Sequence, residues 1–494
     1  MNSRWAWSLV CHAAATFFML LCPSAGGQER VIKIEDIFRR LDQQEERIHE
    51  LASRLNNSNR VQRLPAPLST GENVIQRLDA LEEAVSHKVL NASLGQAGEV
   101  DRTHPYYSGY DGGFMIRPHD KSQFPFELKV NGRMQFRFTN FTTDHTSYTN
   151  LAGTANQQNR SEFEIERARL VFSGFMYDPN LHFFINIDGD TDDNHRAIFH
   201  DFWINYEFSD AFNVHCGKAF VPGTRAWLDG STRTHLNARS MGSSFFRPDR
   251  SLGVWASGEV HEGVFYRAMI SNGFITTDLK RSGLTGFEHD DHPFYSASMW
   301  WEPYGNFGQG YADLKYHVDP VVRFGHSFMY GSQAPQDSGA ITLEERAIRL
   351  SDGSRITAVG VTEYNLFGYA VDFALKYRGW SFNTEYYFRW LKDIESGGSF
   401  THSEIYQDGF YVDSGYMICH ERLEIVGRVS QVDGIFKDSW EYAGGFNWYL
   451  NGTHKNKLSF DVGVFDGVPI STSGADLEIG MDGVLYRMQY QLAF

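Results

Sequence analysis

Beyond its first two dozen residues the chain has no run of the ~18–20 uninterrupted apolar residues that a membrane-crossing helix needs. Its mean hydropathy is -0.40. A helical membrane protein is excluded on that ground. Positive charge is also scarce: the formal net charge is -16 over 494 residues, which leaves no footprint for a phosphate backbone and excludes nucleic acid as a partner. There are only 4 cysteines, and two of them, Cys11 and Cys22, fall in the first segment. The remaining Cys216 and Cys419 do not make a disulfide framework; they either pair or fill small apolar sites. Also missing are a Gly-x-Ser-x-Gly turn, a phosphate-cradling glycine loop and zinc-ligand spacing. The sequence therefore names no catalytic residue, no cofactor and no metal site. Asp188-Gly189-Asp190-Thr191-Asp192-Asp193 looks like a calcium loop, but it has no glycine at the sixth position and carries Phe199 at the twelfth. His289-Asp290-Asp291-His292 matches no metal-ligand spacing either, and both stretches read as polar loops.

What the chain does have is an aromatic share of 15%, with 46 glycines and only 14 prolines. That balance suits long antiparallel strands ending at a membrane interface, and it also suits a large soluble β-sandwich or propeller. The beginning of the chain separates these. Arg4, the apolar stretch Trp5 to Leu21 and the small residues Cys22-Pro23-Ser24-Ala25-Gly26 form a secretory signal (1–25) with a cut near Ala25. Residues 31–90 read as a periplasmic coiled-coil or helical segment. Ile34, Leu41, Ile48 and Leu55 take position a; Ile37, Gln44 and Leu51 take position d. Val74, Leu78, Leu81 and Val85 repeat the spacing after a polar break. A single amphipathic helix is the alternative. Residues 91–125 read as an irregular linker.

From Phe126 the period changes from 3.5 to 2. In the first such stretch Lys129, Asn131, Arg133, Gln135 and Arg137 share one face; Val130, Gly132, Met134, Phe136 and Phe138 share the other. Sixteen segments of this kind follow one another: 126–139, 162–175, 180–189, 199–209, 211–219, 250–260, 263–273, 292–303, 319–331, 367–379, 380–391, 405–418, 421–432, 439–450, 456–466 and 483–494. Their connections alternate between tight turns (Asp178-Pro179, Ser209-Asp210, His261-Glu262, Arg378-Gly379) and long links (140–161, 220–249, 274–291, 332–366). The stretch 304–318 is the exception, long where a short turn is due. An even strand number with short turns on one side and long loops on the other predicts an all-β transmembrane barrel of about 16 antiparallel strands over 126–494, in the bacterial outer membrane, with outer-membrane lipid around it. The terminal alternation Tyr486, Met488, Tyr490, Leu492, Phe494 agrees. So do Trp300, Trp301, Tyr304, Trp380, Trp440, Trp448 and Tyr449 near strand ends, where interfacial girdles are expected.

Four motifs, in order, carry a resemblance. Glu166-Arg167-Ala168-Arg169-Leu170-Val171-Phe172-Ser173-Gly174, Gly217-Lys218-Ala219-Phe220-Val221-Pro222, Phe245-Phe246-Arg247-Pro248-Asp249-Arg250-Ser251-Leu252-Gly253 and Gly445-Phe446-Asn447-Trp448-Tyr449-Leu450-Asn451 resemble strand and loop motifs of the phosphate-selective porin O/P family. The likeness spans about residues 126–494. It implies a sixteen-stranded homotrimer with an anion-preferring pore. The coiled coil lies outside the family pattern. The third loop has diverged, so the family's phosphate-binding residues are not carried over by name.

Such a channel performs no reaction; it selects by the charge lining a narrow water path. The third long loop, 220–249, is the candidate constriction. From Lys218 to Arg250 the cations are Lys218, Arg225, Arg233, Arg239, Arg247 and Arg250, against only Asp229 and Asp249. Gly223, Gly230, Ser231, Ser240, Gly242, Ser243 and Ser244 permit this loop to pack closely on an inner wall. Arg133, Arg137, Arg167 and Arg169 are the lumen-wall candidates. Their planar forks suit phosphate oxygens; the structural alternative pairs them with Glu162, Glu164, Glu166 or Asp188. The expected role is passive diffusion of small solutes, with preference for inorganic anions such as phosphate. Alternatives are a non-specific or cation-preferring pore, an envelope tether touching the cell wall through its coil, and a barrel enzyme, for which no Ser–His pair stands out.

Overall fold

The computed structural model describes residues 106–119, 125–191, 197–275, 292–333, 348–398 and 400–494. The signal, the coiled-coil segment, His289-Asp290-Asp291 and Asp192-Asp193 lie outside these residues. The chain divides into two units, Met1–Val100 and Asp101–Phe494, and the fold below is that of the second.

Twenty strands are present: β1 (Tyr106–Tyr110), β2 (Phe114–Pro118), β3 (Phe126–Thr143), β4 (Ser147–Asn150), β5 (Gly153–Asn156), β6 (Arg160–Met176), β7 (Asp178–Asp188), β8 (Ile198–Ser209), β9 (Phe212–Phe220), β10 (Arg250–His261), β11 (Val264–Ser271), β12 (Phe294–Trp301), β13 (Val321–Gln333), β14 (Val361–Tyr377), β15 (Trp380–Ser396), β16 (Ile405–Cys419), β17 (Leu423–Gly434), β18 (Ser439–Tyr449), β19 (Asn456–Asp466) and β20 (Gly483–Ala493). β3 and β6 to β20 form a closed 16-strand antiparallel barrel. Each pairs with the next, and β20 returns to β3 from Gly483↔Thr143 to Ala493↔Arg133. All the segments expected from the period-2 pattern are barrel strands. Closure leaves no sheet edge along the paired length, which is the condition for crossing lipid with strands.

Alternation decides which face meets lipid. On β14, Leu366, Ala370, Asp372, Ala374 and Lys376 are buried toward the lumen, while Tyr369, Val371 and Tyr377 are exposed outside. On β20, Leu485, Arg487, Gln489 and Gln491 face inward, and Met488, Tyr490 and Leu492 outward. Outward aromatics form two belts. At the long-loop end Tyr295, Tyr330, Phe367, Trp390 and Tyr406 are cross-strand partners in sequence from β12 to β16. Toward the short-turn end Tyr377, Trp380 and Tyr416 pair in the same way. Phe367 and Tyr377 are ten residues apart on β14. At ~3.3 Å per residue and a tilt of about 40°, that separates the belts by ~25 Å, the height of an outer-membrane apolar band. Trp301, Tyr304 and Trp380 are exposed outside as girdle residues. Trp300 and Tyr449 are not girdle residues. Trp300 takes the inward phase of β12, and Tyr449 is fully buried with its hydroxyl donating to Glu424 at 2.6 Å.

Two stretches depart from the sequence reading. Part of the supposed linker, residues 106–118, is a hairpin, because β1 and β2 pair from Tyr106↔Pro118 to Tyr110↔Phe114. β2 then pairs with β3 at Phe114↔Val130 and Ile116↔Leu128, below the point where β20 ends. Phe494 and Gly132 exchange backbone hydrogen bonds there, and the Phe114 and Phe494 rings lie 5.4 Å apart. The other departure is the long link 304–318. It turns into the barrel from the short-turn end and buries Phe307, Tyr311 and Ala312. Its length is explained by that inward course.

One glycine in the first motif is imposed by the backbone. Gly174 has φ 155°, and a Cβ there would stand 1.7 Å from the carbonyl oxygen of Glu127. No side chain fits where β3 and β6 approach.

Candidate permeation pathway

The third long loop enters the barrel and carries two short helices, α1 (Arg225–Leu228) and α2 (Met241–Phe246). Irregular backbone at membrane depth must find its hydrogen bonds inside the protein. Here the wall supplies them. The Glu385 carboxylate accepts from the N–H groups of Arg225 (2.6 Å) and Ala226 (3.0 Å), Asp461 from Asn237 (2.8 Å), and Glu441 from Met241 (2.6 Å). In return Arg428 donates to the Ala238 carbonyl (3.0 Å), Arg389 to Phe245 (3.1 Å), Asn447 to His235 (2.7 Å) and Lys457 to Thr234 (3.3 Å). Gly242 lies so close that a Cβ would stand 2.8 Å from Ser430 Oγ and 3.1 Å from the Phe410 carbonyl. The inward turn 304–318 meets the loop from the other end: Tyr311 N–H donates to the Arg233 carbonyl at 3.0 Å, and Lys376 to that of Phe307 at 3.1 Å. The charged inner faces of β14 to β19 thus hold the loop and turn in place. Burial, with Arg428 nearby, pushes the His235 imidazole well below its ordinary range, so the loop adds no charge there.

The open passage lies on the opposite side. It has a volume of about 550 Å³, and its lining runs from Gly112, Lys455 and Phe494 at the short-turn end to Asp190, Thr472 and Gly474 at the long-loop end. One bank is the wall, with Arg133, Arg167, Arg169, Asp188, His200, Asp201 and Arg250. The other is the loop, with Trp227, Arg233, Arg239 and Arg247. His454 also lines it; burial, with Lys457 adding, holds its imidazole well below the ordinary range, so it is neutral.

A β-bulge shapes the wall. Between Gln135↔Arg167 and Phe136↔Ile165 the register shifts, so Glu166 is the extra residue and both it and Arg167 are buried on the inside. Arg167 Nη2 lies 2.8 Å from Glu166 and Nη1 donates to Gln135 at 2.8 Å. Arg169 Nε lies 2.5 Å from Asp188. Arg250 Nε lies 2.6 Å from Asp201, and Arg247 Nη1 3.5 Å from Asp249. Each of these carboxylates is matched by a guanidinium. Three lining guanidiniums are not matched in return. Arg239 donates only to the backbone carbonyls of Ala226, Trp227 and Asp229. Arg133 and Arg233 have no hydrogen-bond acceptor or ion-pair partner among the described residues. The passage therefore has an excess of positive charge.

The remaining candidates sit elsewhere. Arg137 is fully buried and bound by Asp476 (2.9 Å), Glu166 (3.1 Å) and Glu164 (3.6 Å), the structural alternative raised above. Asp476 is in the last long loop; its burial would raise its pKa, but Arg137 and Arg487 hold it below the ordinary carboxylate range. Arg225 turns away from the passage and lies over Trp300, 3.9 Å from the ring centre. Lys218 is buried on β9 and is not among the lining residues. Sequence reasoning missed Trp227. It carries Arg247 and Arg239 over its ring at 3.6 and 4.7 Å, and nothing in its sequence neighbourhood marked it as the platform of the loop bank.

A closed barrel with a loop-narrowed, charge-lined water path is a porin, an outer-membrane channel rather than an enzyme. The family model for phosphate-selective porins O and P matches residues 139–492. The chain belongs to that family. Among solved structures it is similar to an anion-selective porin from Comamonas acidovorans, at 10% identity and TM-score 0.48, over 75% of this chain and 100% of that one. It is similar to the outer-membrane expressed OmpT of Vibrio cholerae at 11% identity and TM-score 0.47, over 75% and 98%. It is also similar to the outer membrane channel DcaP of Acinetobacter baumannii at 11% and 0.45, over 75% and 97%. No curated protein matches it by sequence.

Proposed function

We propose that this channel prefers anions and passes inorganic phosphate among them. The observation that carries the reading is the set of unmatched guanidiniums, Arg133 on the wall and Arg233 and Arg239 on the facing loop, while Glu166, Asp188, Asp201 and Asp249 are matched. Fixed positive charge in a confined path lowers the barrier for anions and raises it for cations. The net charge of -16 does not oppose this, because a passing ion responds to the charge of the lining. The test is single-channel recording under a salt gradient with phosphate added. A reversal potential of anion sign with phosphate interrupting the chloride current is expected; a cation-signed potential overturns the reading. The homotrimer implied by the family likeness, and a periplasmic contact to the cell wall through residues 31–90, belong to the same proposal. Mass measurement in detergent and deletion of 26–95 test them respectively.

A further inference from the structure

The inner wall carries a second arrangement that the passage does not use. Porin interiors are polar as a rule, because they face water. On the inward phase of β7 to β10, however, rings follow one another. Phe184 stacks on Trp203 at 5.0 Å and 7°, and Trp203 meets Trp255 edge-on at 6.2 Å. His215 stacks on Trp255 at 4.9 Å and 8°. On β11 and β12, Phe265 stacks on Trp300 at 5.4 Å. Phe184 is a lining residue of the passage, so the row of rings begins where solutes travel.

The row ends in cations. Arg267 lies over Trp255 at 5.0 Å and Arg225 over Trp300 at 3.9 Å. Arg225 is 5% exposed. Among the described residues neither guanidinium has a hydrogen-bond acceptor or an ion-pair partner, and Nε of both is buried and unsatisfied, as is Nη2 of Arg225. A buried cation without a partner is expensive. The indole faces relieve part of that through cation–π attraction, and the planar donor forks stay unfilled.

We propose that this row is a subsite for ring-bearing organic anions, which pass along Phe184 and Trp203 and lodge with the ring at Trp300 and the carboxylate meeting Arg267 and Arg225. A small hydrated phosphate gains nothing from indoles, and a neutral sugar gains nothing from the charge of two guanidiniums. An aromatic carboxylate uses both. The proposal rests on the channel reading above and adds a second solute class to it.

The test is current interruption in single channels by benzoate, cyclohexanecarboxylate and acetate, three monoanions of one headgroup. Benzoate is expected to act at roughly tenfold lower concentration than acetate, with cyclohexanecarboxylate between them. This comparison uses the unaltered protein, so it does not depend on a variant folding. In Trp300→Leu the benzoate advantage over acetate falls to about twofold, and Arg267→Gln weakens benzoate more than phosphate. Equal action of the three acids in a channel that is still anion-selective overturns the subsite alone. Equal weakening of benzoate and phosphate by Arg267→Gln also overturns it, since the site is then a plain anion site. A cation-signed reversal potential overturns the channel reading and this subsite with it.

Discussion

The carboxylate of Glu441 accepts the backbone N–H of Met241 at 2.6 Å, so a barrel-wall acid caps the helix with which the inward loop turns back. Glu441 also lies 3.3 Å from Arg428, whose other partner is Asp413 at 2.6 Å. Glu441→Ala removes the acceptor of the Met241 N–H, leaving the helix only its Ser240 cap, and leaves Arg428 half-paired. A loss of about 1–3 kcal/mol is expected, read as a lower midpoint for heat-induced unfolding. Noisier current should accompany it. Glu441→Gln keeps an acceptor and should lose less.

The candidate arginines should separate into two kinds. Arg133→Ala, Arg233→Ala and Arg239→Ala each remove unmatched charge and should move the reversal potential toward cations with little change in thermal stability for the first two. Arg137→Ala should do the reverse. It takes the cation from Glu164 and leaves Glu166 and Asp476 only Arg167 and Arg487, and breaking such a buried pair removes ~3–5 kcal/mol. Paired reversal-potential and unfolding measurements on the four variants check this.

The inward turn should hold through mild acid. Burial would raise the Asp313 carboxyl, but the hydrogen bonds from His317 and the Gly379 N–H hold it below its ordinary range. A depressed folded-state pKa contributes stability at pH above the unfolded value, lost as pH falls through the folded one. Conductance should therefore stay level from neutral pH down to about pH 4, near the unperturbed Asp value, and change only below it. Asp313→Ala should show the same change at neutral pH. A change centred near pH 6 in the parent channel would contradict this.

Gly174→Ala should fail to assemble or lose more than about 2 kcal/mol, since a left-handed φ and a backbone clash act together. The yield of heat-modifiable folded barrel measures it. Gly427→Ala, where a Cβ meets nothing within 4 Å, is the matched control.

How far the sequence reveals this molecule depends on whether lipid or protein surrounds a residue. The strands were legible because lipid outside and water inside force a strict two-residue alternation, as on β14 and β20. By that alternation Arg133 and Arg169 take the polar phase of their strands, and both line the passage. The alternation broke at Glu166, where the bulge brings two neighbours to one face. It said nothing of the third loop, which has protein on one side and water on the other and no repeating period. Arg225 and Arg239 are fourteen residues apart in one basic stretch, yet only Arg239 lines the passage. That choice is made by Glu385 and Glu441, more than a hundred residues downstream. The inward turn showed itself only as excess length, and the hairpin at 106–118 was hidden because its five-residue strands are too short for a period to register.

That hairpin also bears on the timing of assembly. Its Phe114 packs on Phe494, the final residue of the chain, while Tyr110 receives Lys455 from the last short turn. Lys455 precedes β19, whereas Phe494 directly follows β20, the strand that closes the barrel. The Phe114–Phe494 contact therefore requires that β20 has already paired with β3, so an element encoded before the barrel cannot make all its contacts until the barrel is closed. The seam between β20 and β3 is thus covered at the short-turn end by contributions from both ends of the barrel unit.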